Sequence, residues 1–332
     1  MLITMPSNLF DLPKAEVHIH LEGSIPPSTA RGWAATAGVD LGRGNPFVVS
    51  GGLSEFLQLL DLICSLARSA EQLDALAYEF AEHVAASGAG YADVIVNPTH
   101  WGRWRHDVSG LVTALDAGFL RAEQDGLPTV GLCISLLRAQ TREEAIDLVE
   151  ALIDLGSPRV VALSVDGNEA ASGSTYERFA EAFRRAGEAG LRRTVHAGES
   201  SGAEAVRSAV EMLGADRIDH GVRSVEDPAV VALLVDQGIP LAMCPTSNLT
   251  LGLYSDIGSH PIEILRQQGV RVCVNTDDPA LLGIDLTGEY QRCIEAFTWS
   301  SDVVREVART SVDASFAPSH VKQKLHAALD AW

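Results

Sequence analysis

Four short segments of this 332-residue chain hold groups that bind cations and move protons: Glu16-Val17-His18-Ile19-His20, His196-Ala197-Gly198-Glu199, Asp219-His220-Gly221 and Asn275-Thr276-Asp277-Asp278-Pro279. His18 and His20 are two residues apart in a run that reads as a β-strand, so both imidazoles point to one side and can share an ion. With His196 and one carboxylate, Asp277, they make a set of three neutral nitrogens and one oxygen. That set suits zinc, with iron, manganese or cobalt as alternatives, and leaves a position for water. A bound ion would lower the pKa of such a water towards about 7, which makes hydrolysis the natural chemistry. Glu199, three residues beyond His196, is placed to give a proton to a substrate. His220 is a second proton-transfer candidate, or else a further metal ligand or a buried structural histidine. Asp277 and Asp278 precede Pro279, where the backbone can turn both towards one site, one to bind metal and the other to orient water or substrate. Taken singly, Asp-Asp-Pro is a turn, a Glu near a helix start is a cap, and two histidines on a strand are hydrogen-bonded neighbours. It is their occurrence at the ends of several strands that favours a shared site.

Groups so far apart in sequence meet only in a fold that gathers strand ends. Eight runs read as strands: Ala15 to Leu21, Tyr91 to Pro98, Thr129 to Arg138, Arg159 to Asp166, Arg192 to Gly198, Arg217 to His220, Ile239 to Pro245 and Arg271 to Thr276. Between them lie segments with a 3.6-residue apolar period and capping-box signals, Thr141-x-x-Glu144, Ser174-x-x-Glu177 and Ser201-x-x-Glu204. Eight β-then-α units predict a (β/α)8 barrel, an α/β fold of the TIM type whose C-terminal strand ends carry the site. The long stretch Gly23 to Gly90, with a Gly/Pro-rich piece at Gly42 to Gly52, predicts helices over the barrel mouth. Beyond Gly283 the tail reads as further helices, including Val303 to Thr310 and Ser319 to Ala331. No linker divides the chain, so residues 1–332 are expected to form one domain.

Composition narrows the partners. Lys plus Arg number 25 against 44 for Asp plus Glu, a net charge of −19 that repels polyanions. The densest basic cluster, Arg103-Trp104-Arg105-His106, is too short to follow a nucleic-acid backbone. Five widely spaced cysteines without a C-x-x-C fit reduced thiols. No basic start followed by an apolar run opens the chain, and no stretch approaches the roughly 18 apolar residues of a membrane span, so a cytoplasmic enzyme with a small-molecule substrate is expected, its oligomeric state open. G-x-G-x-x-G and Walker A signatures are missing, as is the P-C-x-x-C of cytidine deaminases.

Read together, Pro13 to Gly23, Asp166-Gly167-Asn168-Glu169, Thr194 to Glu199, Arg217 to Val222, Cys244-Pro245-Thr246-Ser247-Asn248 and Val274 to Pro279 resemble the adenosine/adenine deaminase family of the metal-dependent amidohydrolase superfamily, nearly end to end. The resemblance implies one zinc ion per chain, bound by His18, His20, His196 and Asp277. It implies that His220 orients and deprotonates the attacking water, and that Glu199 protonates purine N1 while hydroxide adds at C6 and ammonia leaves. Asp278 would meet purine N7 and the Gly167 N–H purine N3, with His20 and Glu22 also facing the substrate. Glu22 falls where nucleoside-specific members usually carry Asp and base-specific members often carry Glu. Asn275 to Tyr290 is more like bacterial adenosine deaminases. The substrate expected on this resemblance is adenosine or deoxyadenosine, with adenine or 6-aminodeoxyfutalosine as alternatives. Another amidohydrolase reaction or a silent purine-binding member is a more remote alternative. Trp101 and Trp104 are candidates for stacking on the substrate or for packing under a lid.

Overall fold

The computed structural model describes residues 8–41 and 53–332, so the Gly/Pro-rich piece Gly42 to Gly52 lies outside the described residues. Eight parallel strands follow one another in space as in sequence: β1 (Glu16–His20), β2 (Tyr91–Val96), β3 (Thr129–Leu137), β4 (Val160–Asp166), β5 (Arg192–Ala197), β6 (Arg217–His220), β7 (Leu241–Met243) and β8 (Val272–Val274). This is the expected TIM-type (β/α)8 barrel. The strands are buried on both faces, as in β2 where all six residues are inaccessible. They therefore read as apolar runs rather than alternating ones.

The crossover helices lay apolar stripes on the barrel. In the helix Ala203–Leu213, Val206, Val210 and Leu213 are buried while Arg207 is paired at the surface with Glu211 and Asp227. The Thr141/Glu144 capping box forms as expected before Arg142–Leu155. The other two do not. Tyr176–Glu188 starts one residue later than the Ser174 signal, after Thr175, whose hydroxyl is occupied by Arg138 Nη1 at 3.1 Å. Ala203–Leu213 starts after Gly202 without a side-chain cap, because the preceding turn is held by a distant carboxylate, Glu169. Helices Pro27–Ala37 and Leu53–Cys64 fall between β1 and β2, and Leu60 of the second faces the cavity at the mouth. Leu286–Phe297, Ser301–Ala314 and Ser319–Ala331 form the expected helical tail. Among the described residues, no helix is long and apolar enough to cross a membrane, and all five cysteines are buried and free.

The last two strands are shorter than the sequence suggests, and past β8 side chains replace the ladder at the barrel's seam. Asn275 Oδ1 accepts the backbone N–H groups of Val17 at 2.8 Å and His18 at 3.2 Å. Glu16 Oε1 accepts the N–H of Thr276 at 3.1 Å and its hydroxyl at 2.5 Å. Beyond them, Asp277 N donates to His18 O at 3.1 Å and His20 N to Asp277 O at 2.7 Å, joining β1 to the segment after β8. Asn275→Ala would orphan two buried donors, so we expect a loss of about 1–3 kcal/mol in urea unfolding at fixed metal loading. Unchanged stability would mean that Asn275 does not hold the seam.

Candidate active site

The site residues all lie at or just past the C-terminal ends of strands: His18 and His20 on β1, Glu22 after it, Gly167 after β4, His196 on β5 with Glu199 in the following turn, His220 closing β6, and Asp277 and Asp278 after β8. Two non-glycine residues among them have left-handed backbone, His220 at φ 65° and Asp277 at φ 67°. Non-glycine residues hold such angles at a cost of about 1–3 kcal/mol, and only where the surroundings fix them. Here the angles turn both side chains inward at the strand ends.

His18 Nε2 and His20 Nε2 each lie 3.1 Å from His196 Nε2, and 3.4 and 3.3 Å from Asp277 Oδ1. A tetrahedral ion about 2.0–2.1 Å from each donor would separate them by roughly 3.3 Å, so these four atoms fit a divalent metal. His220 is gathered too, since the donor atoms of His18, His196, His220 and Asp277 lie within 4.8 Å of one another. Its Nε2 stands off, however, at 3.9 Å from Asp277 Oδ2 and 3.5 Å from Glu199 Oε1. His20 Nε2 thus lies nearer the Asp277 carboxylate than His220 Nε2 does. Outer contacts fix the set. His18 Nδ1 donates to Ala242 O at 3.0 Å, Ser247 Oγ donates to Asp277 Oδ2 at 2.6 Å, and Asp219, held by Thr194, lies 3.5 Å from His196 Nδ1. Burial lowers the His196 imidazole well below its usual range, helped by the neighbouring His18 and His20, which keeps it neutral and available as a ligand. Burial would also lower His18, but Asp219 and Asp277 outweigh it and raise His18 to about 9, so this pocket calls for positive charge.

Glu199 is pushed up to about 8, first by burial and then by the charges of Asp277 and Glu169. Burial, then the Asp277 and Glu22 carboxylates, raise Asp278 well above the carboxylate range. Several acids in one buried space cannot all ionise, and those that stay protonated can donate hydrogen bonds.

Several contributors had no role assigned from the sequence, although Glu169 and Asn248 lie within its motifs. Glu169 accepts the backbone N–H groups of Gly198, Glu199, Ser200 and Ser201 at 2.9–3.2 Å, and so sets the turn that presents Glu199. Arg138 reinforces that turn by donating to His196 O. Asn248 links two histidines. Ile262 N donates to His260 Nδ1 at 3.3 Å, which places the hydrogen of the neutral ring on Nε2, 3.1 Å from Asn248 Oδ1. The Asn248 amide N–H then faces His220 Nδ1 at 3.3 Å, leaving the hydrogen of neutral His220 on Nε2. Burial pushes His260 down to about 3, so it stays neutral.

A cavity of about 100 Å³ joins these groups. It is lined by His20, His196, Glu199, His220, Asp277 and Asp278, by Glu22, His100, Asp166 and Gly167, and by Leu60, Leu251 and Leu282. Asn97 hydrogen-bonds to both Glu22 and Asp166, so these two carboxyls stand together. Gly167 is left-handed at φ 96°, and a Cβ there would come within 2.9 Å of Leu137. The tryptophans do not line the cavity. Trp101 is buried behind Glu22 and donates Nε1–H to its Oε1 at 2.6 Å, while Trp104 packs under the cap with Nε1–H on Ala67 O at 2.8 Å.

A parallel eight-stranded barrel with a buried cluster of three histidines and an aspartate at its mouth defines a hydrolase of the metal-dependent amidohydrolase superfamily. A family model described as adenosine deaminase matches residues 13–332. Adenine deaminase of Rhizobium leguminosarum bv. trifolii is 32% identical over 96% of this chain and 99% of its own, and that of Rhizobium rhizogenes is 33% identical with the same two coverages. Among solved structures, adenine deaminase from Arthrobacter aurescens superposes with TM-score 0.89 at 27% identity, covering 96% of this chain and 98% of that one. An amidohydrolase from Burkholderia ambifaria with bound zinc gives 0.87 at 26%, covering 97% and 91%. The chain belongs to the adenosine deaminase family and is a 6-aminopurine deaminase.

Gly23 is a further requirement that the motifs contained but did not explain. A Cβ there would lie 1.7 Å from Asp278 Oδ1, so only glycine lets that carboxyl enter the cavity. We expect Gly23→Ala to lower kcat/KM about 100-fold or more with metal content unchanged, because Asp278 is displaced while the four metal donors stay in place. Wild-type activity in that variant would remove Asp278 from the site.

Proposed function

We propose that this enzyme deaminates the free base adenine, giving hypoxanthine and ammonia, with one zinc ion held by His18, His20, His196 and Asp277. The observation that carries the choice of base is Glu22. Its Oε1 is anchored by the N–H of Asn97 at 2.8 Å and by Trp101, while Oε2 is buried without a hydrogen-bond partner among the described residues, on a side chain that lines the cavity. A free purine carries an N–H on its imidazole ring that Oε2 can accept; a nucleoside has a sugar there instead. The small cavity, well below the several hundred Å³ typical of larger ligands, supports the same reading, as do the adenine deaminase relatives.

The segment that favoured a nucleoside has other work. Asp285 caps Leu286–Phe297 by accepting Gly288 N at 2.8 Å, and buried Glu289 accepts Thr246 N at 3.0 Å. Within Asn275 to Tyr290, Asp277, Asp278 and Leu282 line the cavity, and no residue from Gly283 to Tyr290 does. We read the likeness of that latter part to adenosine deaminases as one of scaffold, and adenine takes precedence over adenosine as the substrate proposed.

A bound zinc ion would supply Lewis acidity, making a water acidic enough to be deprotonated near neutral pH. Glu199, protonated in its buried setting, gives its proton to N1, which draws electrons from C6 as the water oxygen adds there. That proton remains on N1 in the product, and Glu199 is restored by one proton of the attacking water. The other leaves with the amino nitrogen as ammonia. Asp278, protonated, donates to N7. His220 carries its hydrogen on Nε2 through the Asn248–His260 relay, so it is suited to orienting the attacking oxygen as a donor rather than to accepting its proton.

Purified enzyme should release ammonia from adenine with kcat/KM at least about 100-fold above adenosine, deoxyadenosine or 6-aminodeoxyfutalosine, and lose this activity to a chelator until zinc is restored. A preference for adenosine would overturn the assignment. Glu199→Gln, which removes only the proton, should keep zinc and base affinity yet lose about 10²–10⁴-fold in kcat. Near-normal turnover would exclude Glu199 as the donor.

A further inference from the structure

We propose that His100, held by Asp61, is the residue that makes the pocket refuse purines substituted at N9. This rests on the free-base reading above. C6 and N9 lie at opposite ends of a purine, so a base whose C6 faces the metal-binding cluster and whose ring N–H meets Glu22 points N9 at the block in which Asn97 ties Glu22 to Asp166 beside His100, all three of which line the cavity. Glu22 answers the N–H of an unsubstituted base. What closes the space beyond it is His100.

That imidazole is buried, and it is fixed from two sides. Its Nδ1 lies 2.7 Å from Asp61 Oδ1, on the helix Leu53–Cys64, whose Leu60 forms part of the cavity wall. Its own turn, Pro98–His100, is tied down by Asn97, whose Oδ1 accepts Thr99 N at 3.1 Å and Oγ1 at 2.6 Å and whose Nδ2 donates to Asp166 Oδ1 at 2.5 Å. Asn97 N also donates to Glu22, and Trp101, the next residue after His100, is buried against the same carboxyl. The turn, Glu22 and Asp166 thus form one block, with His100 as its face towards the substrate. Nε2 has no hydrogen-bond partner among the described residues, so the ring meets the cavity with its unengaged edge. A sugar on N9 would have to displace a ring that cannot swing away without breaking the Asp61 contact. Rejection by an immobile side chain is an effective way to separate two substrates that share every other contact. Asp61, whose side chain is 59% exposed, touches no substrate and is a positioning residue.

The test is the ratio of kcat/KM for adenine to that for adenosine and for 9-methyladenine, each pair measured on one preparation so that the folded, metal-loaded fraction cancels. In His100→Ala the ratio should fall by about ten-fold or more, and in Asp61→Ala by roughly three-fold, because the ring is freed but not removed. Calorimetric affinities for the products should move the same way, with inosine gaining on hypoxanthine, independently of turnover. A purely structural role would scale both substrates together. If wild type prefers adenine but the ratio stays within about two-fold in His100→Ala, this inference is overturned and the free-base assignment stands. Should His100→Ala fail to fold, an unchanged ratio in Asp61→Ala overturns it instead. Preference of the wild type for adenosine overturns the parent reading.

Discussion

Two backbone hydrogen bonds at the seam, His20 N to Asp277 O and Asp277 N to His18 O, close the barrel and at the same time bring together three of the side chains proposed to bind the metal. The cylinder cannot be completed without setting His18, His20 and Asp277 side by side. Asp277 reaches this position with a left-handed backbone, and the cost is offset by partners on every side: Glu16 on Thr276, Asn275 on β1, and Ser247 on the Asp277 carboxylate. The functional consequence is a donor set whose positions the seam's own hydrogen bonds fix, so little reorganisation is left to the reaction.

Burial then sorts the acids. Glu199 and Asp278 are both raised by burial in one small space, whereas at Asp277 burial is outweighed by the histidines and the group is held well below the usual carboxylate range. The same residue type therefore serves as cation ligand in one place and as hydrogen donor in another, the difference being whether imidazoles or carboxylates surround it. An excess of acid that repels polyanions at the surface becomes, inside the barrel, a supply of protonated carboxyls suited to a neutral heterocycle.

The sequence alone carried the eight strands, their helical partners and the residues of the metal cluster, because each of these has a local signature: an apolar run of strand length, a 3.6-residue period, two histidines at strand spacing, a carboxylate pair before proline. It also carried Glu22, on which the proposed choice of the free base rests. Tertiary structure decided what depends on partners distant in the chain. Glu169 sets the Glu199 turn across 30 residues of sequence, His260 and Asn248 fix the hydrogen on His220, Gly23 makes room for Asp278, and Asp61 holds His100 from a helix 39 residues away. None of these pairings leaves a periodic trace, since a side-chain hydrogen bond constrains two points in space and not the residues between them. For the same reason the segment Gly283 to Tyr290, so like nucleoside enzymes as a string of letters, could be recognised as scaffold only once its carboxylates were seen capping a helix and bracing Thr246 rather than facing the cavity.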